Sequence, residues 1–478
     1  MGDIQVEGYY CKVFKVTRQE MKVLLLMPPS GEKVIISGDN AFLHEPLALE
    51  YIGAGIKESH DVMLLDMRID KKLENVLKEF SPDIVGTTGY TVHVNICVEL
   101  LRRVKNFNSN ALTVIGGHHA TISPESFCNS YIDVIVMGEG VFTFKEVVER
   151  FEKGEDLKAV YGVAIPENGG IHFTPSKDYT PLDELPFPDR SLTAHYRSSY
   201  FTTHMKPAAS LRTSVGCAHR CNFCALWKIT GRKYITREPK RIVEELSTIK
   251  EPYVLFADDE SFLNVKRMIL LADLINETGI RKKYQVSMRA DTVVRNPELV
   301  EKWGSIGLFR VRIGFESYLD DEIDSFNKKT SVVTNEQALR MLEDNGIGVV
   351  SQFIVKQDYD KDKFRELAKY IKKKKMKDPS FSVLTPLPGT ILYESVKDNL
   401  ITKDYDLYDF KHTLLPAKLP LKDFYSEFAK LHMRMLPFWR YILYKFFFPL
   451  SRFIPTFKKG YRVLAAIKNA YKDHEGTS

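Results

Sequence analysis

Short apolar runs alternate with amphipathic stretches from residue 22 to residue 384, and few folds accept that rhythm. The first run, Lys22-Val-Leu-Leu-Leu-Met27, stops at Pro28-Pro29. It carries no polar alternation, so it reads as a strand buried on both faces. Asp61–Asp66, Ile84–Thr87, Leu112–Ile115 and Val134–Met137 repeat the signal. Helical periodicity fills the gaps at Pro46–Lys57, Leu73–Phe80, Val94–Lys105 and Phe142–Lys153. Strands alternating with helices predict an α/β fold built on a doubly wound, Rossmann-like parallel sheet. Three glycine-containing loops, Gly86-Thr-Thr-Gly89, Gly116-Gly117 and Gly138-Glu139-Gly140, follow predicted strands. Open α/β sheets bind their ligands at that edge.

Thr180-Pro-Leu-Asp-Glu-Leu-Pro-Phe-Pro-Asp189 then interrupts the pattern, as an extended connector would. The rhythm resumes with strand candidates at Leu211–Val215, Tyr253–Ala257, Tyr284–Met288, Phe309–Phe315, Val349–Val355 and Ser380–Leu384. Helical stretches separate them at Pro239–Ser247, Lys266–Thr278, Pro297–Ile306, Asn335–Asn345 and Asp362–Lys374. Six such units predict a partial (β/α)6 barrel with its site at the strand C-terminal ends. The expected organisation is a leader over 1–20, a first domain over 21–155, a linker over 156–205, a barrel over 206–400 and a mainly helical region over 401–478. No repeat of solenoid period is present.

The chemistry concentrates in one loop after the first barrel strand, Cys217-Ala-His-Arg-Cys221-Asn-Phe223-Cys224. Three thiolates at this spacing can hold three irons of a [4Fe–4S] cluster, where full protein ligation takes four. The remaining iron is open to a small molecule. A zinc knuckle is the alternative, with His219 as a fourth ligand, but its spacing is unusual for zinc. The other cysteines, Cys11, Cys97 and Cys128, are scattered and read as reduced, small apolar residues. Six cysteines in 478 residues make no disulfide scaffold. A net charge of +6 is too small to predict a nucleic-acid partner. No Ser-His-Asp set or paired carboxylates stand out.

The loop Cys-x3-Cys-x-aromatic-Cys, opening a six-fold βα pattern, resembles the radical S-adenosylmethionine (SAM) superfamily. Asp258-Asp259-Glu260 after the second strand corresponds to the family's polar groups near the SAM amino group. Arg289 ends the third strand. Ile313-Gly-Phe-Glu316-Ser317 ends the fourth and resembles the family's Gly-x-Glu stretch. Thr385-Pro-Leu-Pro388-Gly389-Thr390 follows the sixth, where the family flanks adenine. With the cysteines and Phe223, these positions imply SAM and cluster binding. In the N-terminal half, Gly89-Tyr90, Gly116-Gly117-His-His119 and Gly138-Glu139-Gly140 resemble the cobalamin-binding domain that precedes many radical SAM barrels. The Asp-x-His-x-x-Gly motif of many such domains is absent, and His93 lies at the wrong spacing. The resemblance therefore implies cobalamin bound without a histidine ligand. It further implies methylation of an unactivated carbon, with an external electron donor such as flavodoxin or ferredoxin. Related chemistry without net methylation (cyclisation or C–C bond formation) is the alternative, and a cobalamin or iron–sulfur sensor is the non-enzymatic one. The segment Ala225–Arg237 resembles that of hopanoid C-3 methylases, which implies a small hydrophobic substrate, a polycyclic lipid. Trp227 and Tyr234 within it read as packing beside the cysteine loop.

Pro437–Pro455 is rich in aromatics interleaved with Arg440, Lys445 and Arg452, and no acidic residue occurs from Arg434 to Lys472. Such a stretch either packs on the barrel or lies on an anionic membrane surface. The N-terminus has no signal-peptide pattern, and no run reaches about 18 uncharged apolar residues. The expected location is the cytoplasm, with the C-terminal region as a candidate contact with the inner membrane surface.

Overall fold

Seven strands form the first sheet of the computed structural model, which describes residues 20–35, 42–203, 205–435 and 450–475, the last with backbone alone to residue 459. They are β1 (Lys22–Met27), β2 (Asp61–Asp66), β3 (Ile84–Thr88), β4 (Leu112–Gly116), β5 (Val134–Val136), β6 (Val163–Glu167) and β7 (Gly170–Phe173), in spatial order 2-1-3-4-5-6-7. The first five are parallel, as the alternation predicts. The order reverses beside β1, which places a ligand crevice at the C-terminal ends of β1 and β3. Leu24 and Leu26 enter one apolar core and Val23 and Leu25 another, so helices cover both faces. The antiparallel pair β6 and β7 extends the edge at β5. Both lie in the stretch read as linker; each is short, and Pro166 weakens the strand signal of β6.

The second sheet holds β8 (Ala208–Leu211), β11 (Tyr253–Phe256), β12 (Lys283–Ser287), β13 (Leu308–Glu316), β14 (Gly348–Val355) and β15 (Asp378–Val383). All are parallel and each lies beside its sequence neighbour, leaving β8 and β15 as open edges of a partial barrel. Between β8 and β11 runs a small antiparallel pair, β9 (Ser214–Val215) and β10 (Ile235–Thr236). The first barrel strand was expected over Leu211–Val215; it ends at Leu211 instead. The Asp258 carboxylate explains the early stop. It accepts hydrogen bonds from the backbone N–H of Thr213 at 2.7 Å and of Ser214 at 3.0 Å, drawing both out of the ladder.

The halves are joined twice. Arg190 and Arg197, after the proline connector, enter a buried network with Glu45 and Glu50 of the first half and Glu245 and Glu251 of the barrel. Beyond β15 the chain returns to the first domain. Asn95 donates to Asp404 and Asp406 at 3.0 and 3.1 Å, and the Tyr405 hydroxyl lies 2.8 Å from that of Ser126. Helices Leu421–Met435 and Leu450–Asn469 then cover the barrel, with Phe424 against Phe364 at 5.6 Å. Most of the aromatic stretch 437–455 lies outside the described residues, as does Cys11. No helix among the described residues is long and apolar enough to cross a membrane.

Candidate active site between the two sheets

The cysteine loop is held from three sides. Asp259 accepts a hydrogen bond from the Gly216 amide at 2.8 Å, immediately before Cys217. Trp227, buried behind the loop, donates its indole N–H to the Cys221 carbonyl at 3.2 Å. Asn222 donates to the Ser325 carbonyl at 2.7 Å, and Asn327 donates to the Arg220 carbonyl at 2.9 Å. The three thiols lie within electrostatic reach of one another. Burial pushes the Cys217 thiol up to about 11 and Cys224 up to about 12. Thiols so placed ionise beside strong positive charge, which iron supplies.

Around this loop, polar groups gather at the strand ends. Arg289 donates to Asp291 at 2.9 Å and to the Lys328 carbonyl at 2.6 Å. The Lys328 ammonium pairs with Glu316, whose backbone is left-handed at φ 61°. Glu316 folds back over Gly314, where any Cβ would collide with both its carboxylate and the Lys328 ammonium. Lys328 carries no motif, and only the fold discloses it. Burial holds Glu260 protonated up to about pH 7, and one of its carboxylate oxygens is buried without a partner. A buried, unpaired acceptor facing Cys217 and Arg289 suits a cationic ligand group. Of Asp258 and Asp259, expected beside the SAM amino group, the first accepts from the amides of Thr213 and Ser214 and the second from that of Gly216, at the entry to the cysteine loop. Phe223 packs on Phe326 at 5.4 Å.

The facing edge belongs to the first sheet. Gly117 turns at φ 101°, where a Cβ would stand 2.5 Å from the Thr88 hydroxyl. Gly138 donates to Thr121 at 3.0 Å, and Glu139 accepts from the Val141 amide at 2.7 Å, which fixes the Gly138–Gly140 loop. Tyr90 remains 57% exposed at this edge. His118 stands against Tyr90 at 4.8 Å. His119, the histidine expected to meet a cofactor, points the other way. It is fully buried between Phe127 and Tyr405, with Nδ1 3.1 Å from the Thr91 hydroxyl. His93 accepts from the Tyr90 amide at 3.2 Å and closes its own turn. The two edges touch: the position of a Cβ on Gly389, in the loop after β15, lies 3.4 Å from Ile122, just past the Gly-Gly turn.

Comparison with known proteins agrees with this layout. Residues 34–148 match the B12 binding domain family, and residues 211–389 match the Radical SAM superfamily. Hopanoid C-3 methylase of Methylococcus capsulatus is 30% identical over 81% of this chain and 75% of its own length. The chain belongs to the cobalamin-dependent radical SAM enzymes. Its cofactors are a [4Fe–4S] cluster, SAM and cobalamin. Another relative is the anaerobic magnesium-protoporphyrin IX monomethyl ester cyclase of Cereibacter sphaeroides, 28% identical over 76% of this chain and 61% of its own length. Among solved structures, this radical SAM enzyme shares its fold with the methyltransferase TsrM of Kitasatospora setae (TM-score 0.65, 18% identity, 79% of this chain and 76% of that one). The cobalamin-dependent enzyme OxsB is similar too (TM-score 0.69, 19% identity, 86% and 66%). Of the lone cysteines in this enzyme, Cys97 is buried as expected, whereas Cys128 is exposed.

Proposed function

We propose that this enzyme transfers a methyl group to an unactivated carbon of a small hydrophobic, polycyclic substrate. The apposition of the two ligand edges, marked by Gly389 against Ile122, carries the reading. Cys217, Cys221 and Cys224 hold the cluster. Glu260, Arg289, Glu316, Lys328 and the Pro388–Gly389 loop bind SAM. Gly89, Tyr90, Gly116, Gly117, His118 and the loop Gly138–Gly140 line the cobalamin. Cluster-bound SAM supplies a 5′-deoxyadenosyl radical and cobalamin a transferable methyl. The protein supplies position and excludes water: the Glu316–Lys328 pair and Arg289 fix the reacting ends of the cleft, and the glycine edge lets a flat cofactor approach the backbone. Cobalamin binding without a histidine ligand is supported by the missing Asp-x-His-x-x-Gly motif and by His93 and His119, which each spend Nδ1 on a partner within the first domain.

The relative at 30% identity and the segment Ala225–Arg237 support a polycyclic lipid of the hopanoid type. The electron comes from a flavodoxin- or ferredoxin-like donor, and the basic aromatic stretch 437–455 brings the enzyme to a membrane surface. Anaerobic reconstitution with iron, sulfide, cobalamin and SAM tests the core of the reading. Wild type should release 5′-deoxyadenosine on reduction. Cys217→Ala should release none while keeping its circular dichroism and melting temperature within a few degrees of wild type. Retained cleavage in that variant refutes the cluster assignment. Mass spectrometry of cells with and without the chain should show a methylene-sized difference in polycyclic metabolites. A loss of hydrogens without added carbon would favour cyclisation, the activity named for the magnesium-protoporphyrin relative.

A further inference from the structure

The inner face of the barrel sheet holds a cation, Arg312, that has no ion-pair partner among the described residues. Along β13, Val311, Ile313 and Phe315 enter the core beneath the helices. Side chains alternate along a strand, so Arg312 faces the lumen. It makes no hydrogen bond or ion pair with the described residues. Asp378, the one carboxylate that acts on it electrostatically, is already paired with Arg310. The neighbours of Arg312 in register are Ser287 of β12 and Val350 of β14, neither of them charged. Arg312 stands two residues before Gly314, over which Glu316 folds, and in register with Ser287, two residues before Arg289, so it lies roughly 7 Å deeper at the usual rise per strand residue. It therefore sits below the ring of SAM-binding groups.

A histidine of the first half lies within electrostatic reach of this arginine. His44 of the first half feels both Arg312 and Arg68, and burial together with these charges keeps its ring neutral down to about pH 3. Its Nε2 is buried without a partner. Phe42 stacks on the ring at 4.9 Å and remains 42% exposed. Arg312 thus has a neutral imidazole within electrostatic reach, and an aromatic ring stacks on that imidazole. Charged side chains taken from water without a partner destabilise a fold, and fixed guanidinium groups match carboxylate and phosphate oxygens.

We propose that Arg312 receives an acidic group of the substrate, a carboxylate or a phosphate, so that the polycyclic substrate carries an anionic group on its hydrophobic frame. This rests on the reading of the cleft as the substrate site. Binding to the reconstituted holoenzyme, followed by intrinsic tryptophan fluorescence or calorimetry, tests it with laurate, dodecyl phosphate and dodecanol as probes. One of the two anions should bind wild type about 10- to 100-fold more tightly than dodecanol. Arg312→Gln should erase that preference and Arg312→Lys should restore part of it, while SAM and cobalamin still bind. Which anion binds identifies the oxyanion. Equal binding of all three probes, undiminished anion binding by Arg312→Gln, or loss of SAM or cobalamin binding in that variant would each overturn the proposal. The last outcome would assign Arg312 to a cofactor. Arg312→Met should also melt a few degrees above wild type, because it removes an uncompensated charge; a lower melting temperature would make Arg312 a packing residue. Reductive SAM cleavage by wild type tests the methyl-transfer reading separately.

Discussion

The two parallel sheets of this chain are built from the same strand–helix alternation and treat their second faces differently. In the first sheet both faces are apolar, with Leu24 and Leu26 on one side and Val23 and Leu25 on the other. In the barrel only the outer face is apolar. The inner face begins with an apolar plug of Ala208, Leu255 and Met205 and continues with Gln285, Ser287, Arg310, Arg312 and Gln352. A sheet covered by helices on both sides has no room for a ligand except at its edge. One that keeps a polar inner face can take a ligand within. The first domain thus offers a ligand its edge, whereas the barrel also has a polar inner face.

The comparison can be broken by substitution. The seam between the sheets comes first. Burial, with Glu45 beside it, pushes Glu50 up to about 8. From about pH 4.5 to pH 8 the folded protein keeps a proton there that the unfolded chain has released, so its stability falls as pH rises through this window. Glu50→Gln should remove that fall. At pH 8 it should be more stable than wild type by roughly 4 kcal/mol, with the gap closing towards pH 4. A gap independent of pH would mean that Glu50 is ionised within the network. The first sheet comes next. Leu25→Ala, at a position 1% exposed, should cost about 3 kcal/mol in urea unfolding. A loss below about 1 kcal/mol would show that the first sheet is loosely packed and the contrast false. The smallest effect belongs to the lumen. Gln352→Ala should change stability by no more than about 0.5 kcal/mol. A cost like that of Leu25→Ala would make the lumen a packed core.

Strand boundaries were legible wherever an apolar run was bounded by turns: β1 and β2 begin and end where the sequence places them, and β14 within one residue. The misplaced element is the first barrel strand, because the group that ends it, Asp258, lies 45 residues from Thr213. No local pattern encodes such a partner. The same holds for the seam, where Arg197 reaches Glu45 across 152 residues. In the site, the cysteines could be read from their own close spacing and Arg289 from the family resemblance, although the groups that hold them lie 39 to 107 residues away. Of the adjacent histidines, spacing selected His119; helix geometry turns it inward and leaves His118 at the edge. Lys328 was missed because a lysine in a loop carries no sequence signal until Glu316 is seen to pair with it.

The return of residues 404–406 to the first domain has a consequence for how such a protein can be cut and pasted. The chain crosses the boundary once through Arg190 and Arg197 and once more through Asp404 and Tyr405. A gene trimmed at residue 389, where the superfamily match ends, would encode both cofactor modules and lose one of the two fastenings between them. The modules of this enzyme are exchangeable as sequence but are buckled together as matter, and a working chimera has to carry the tail of its own barrel with it.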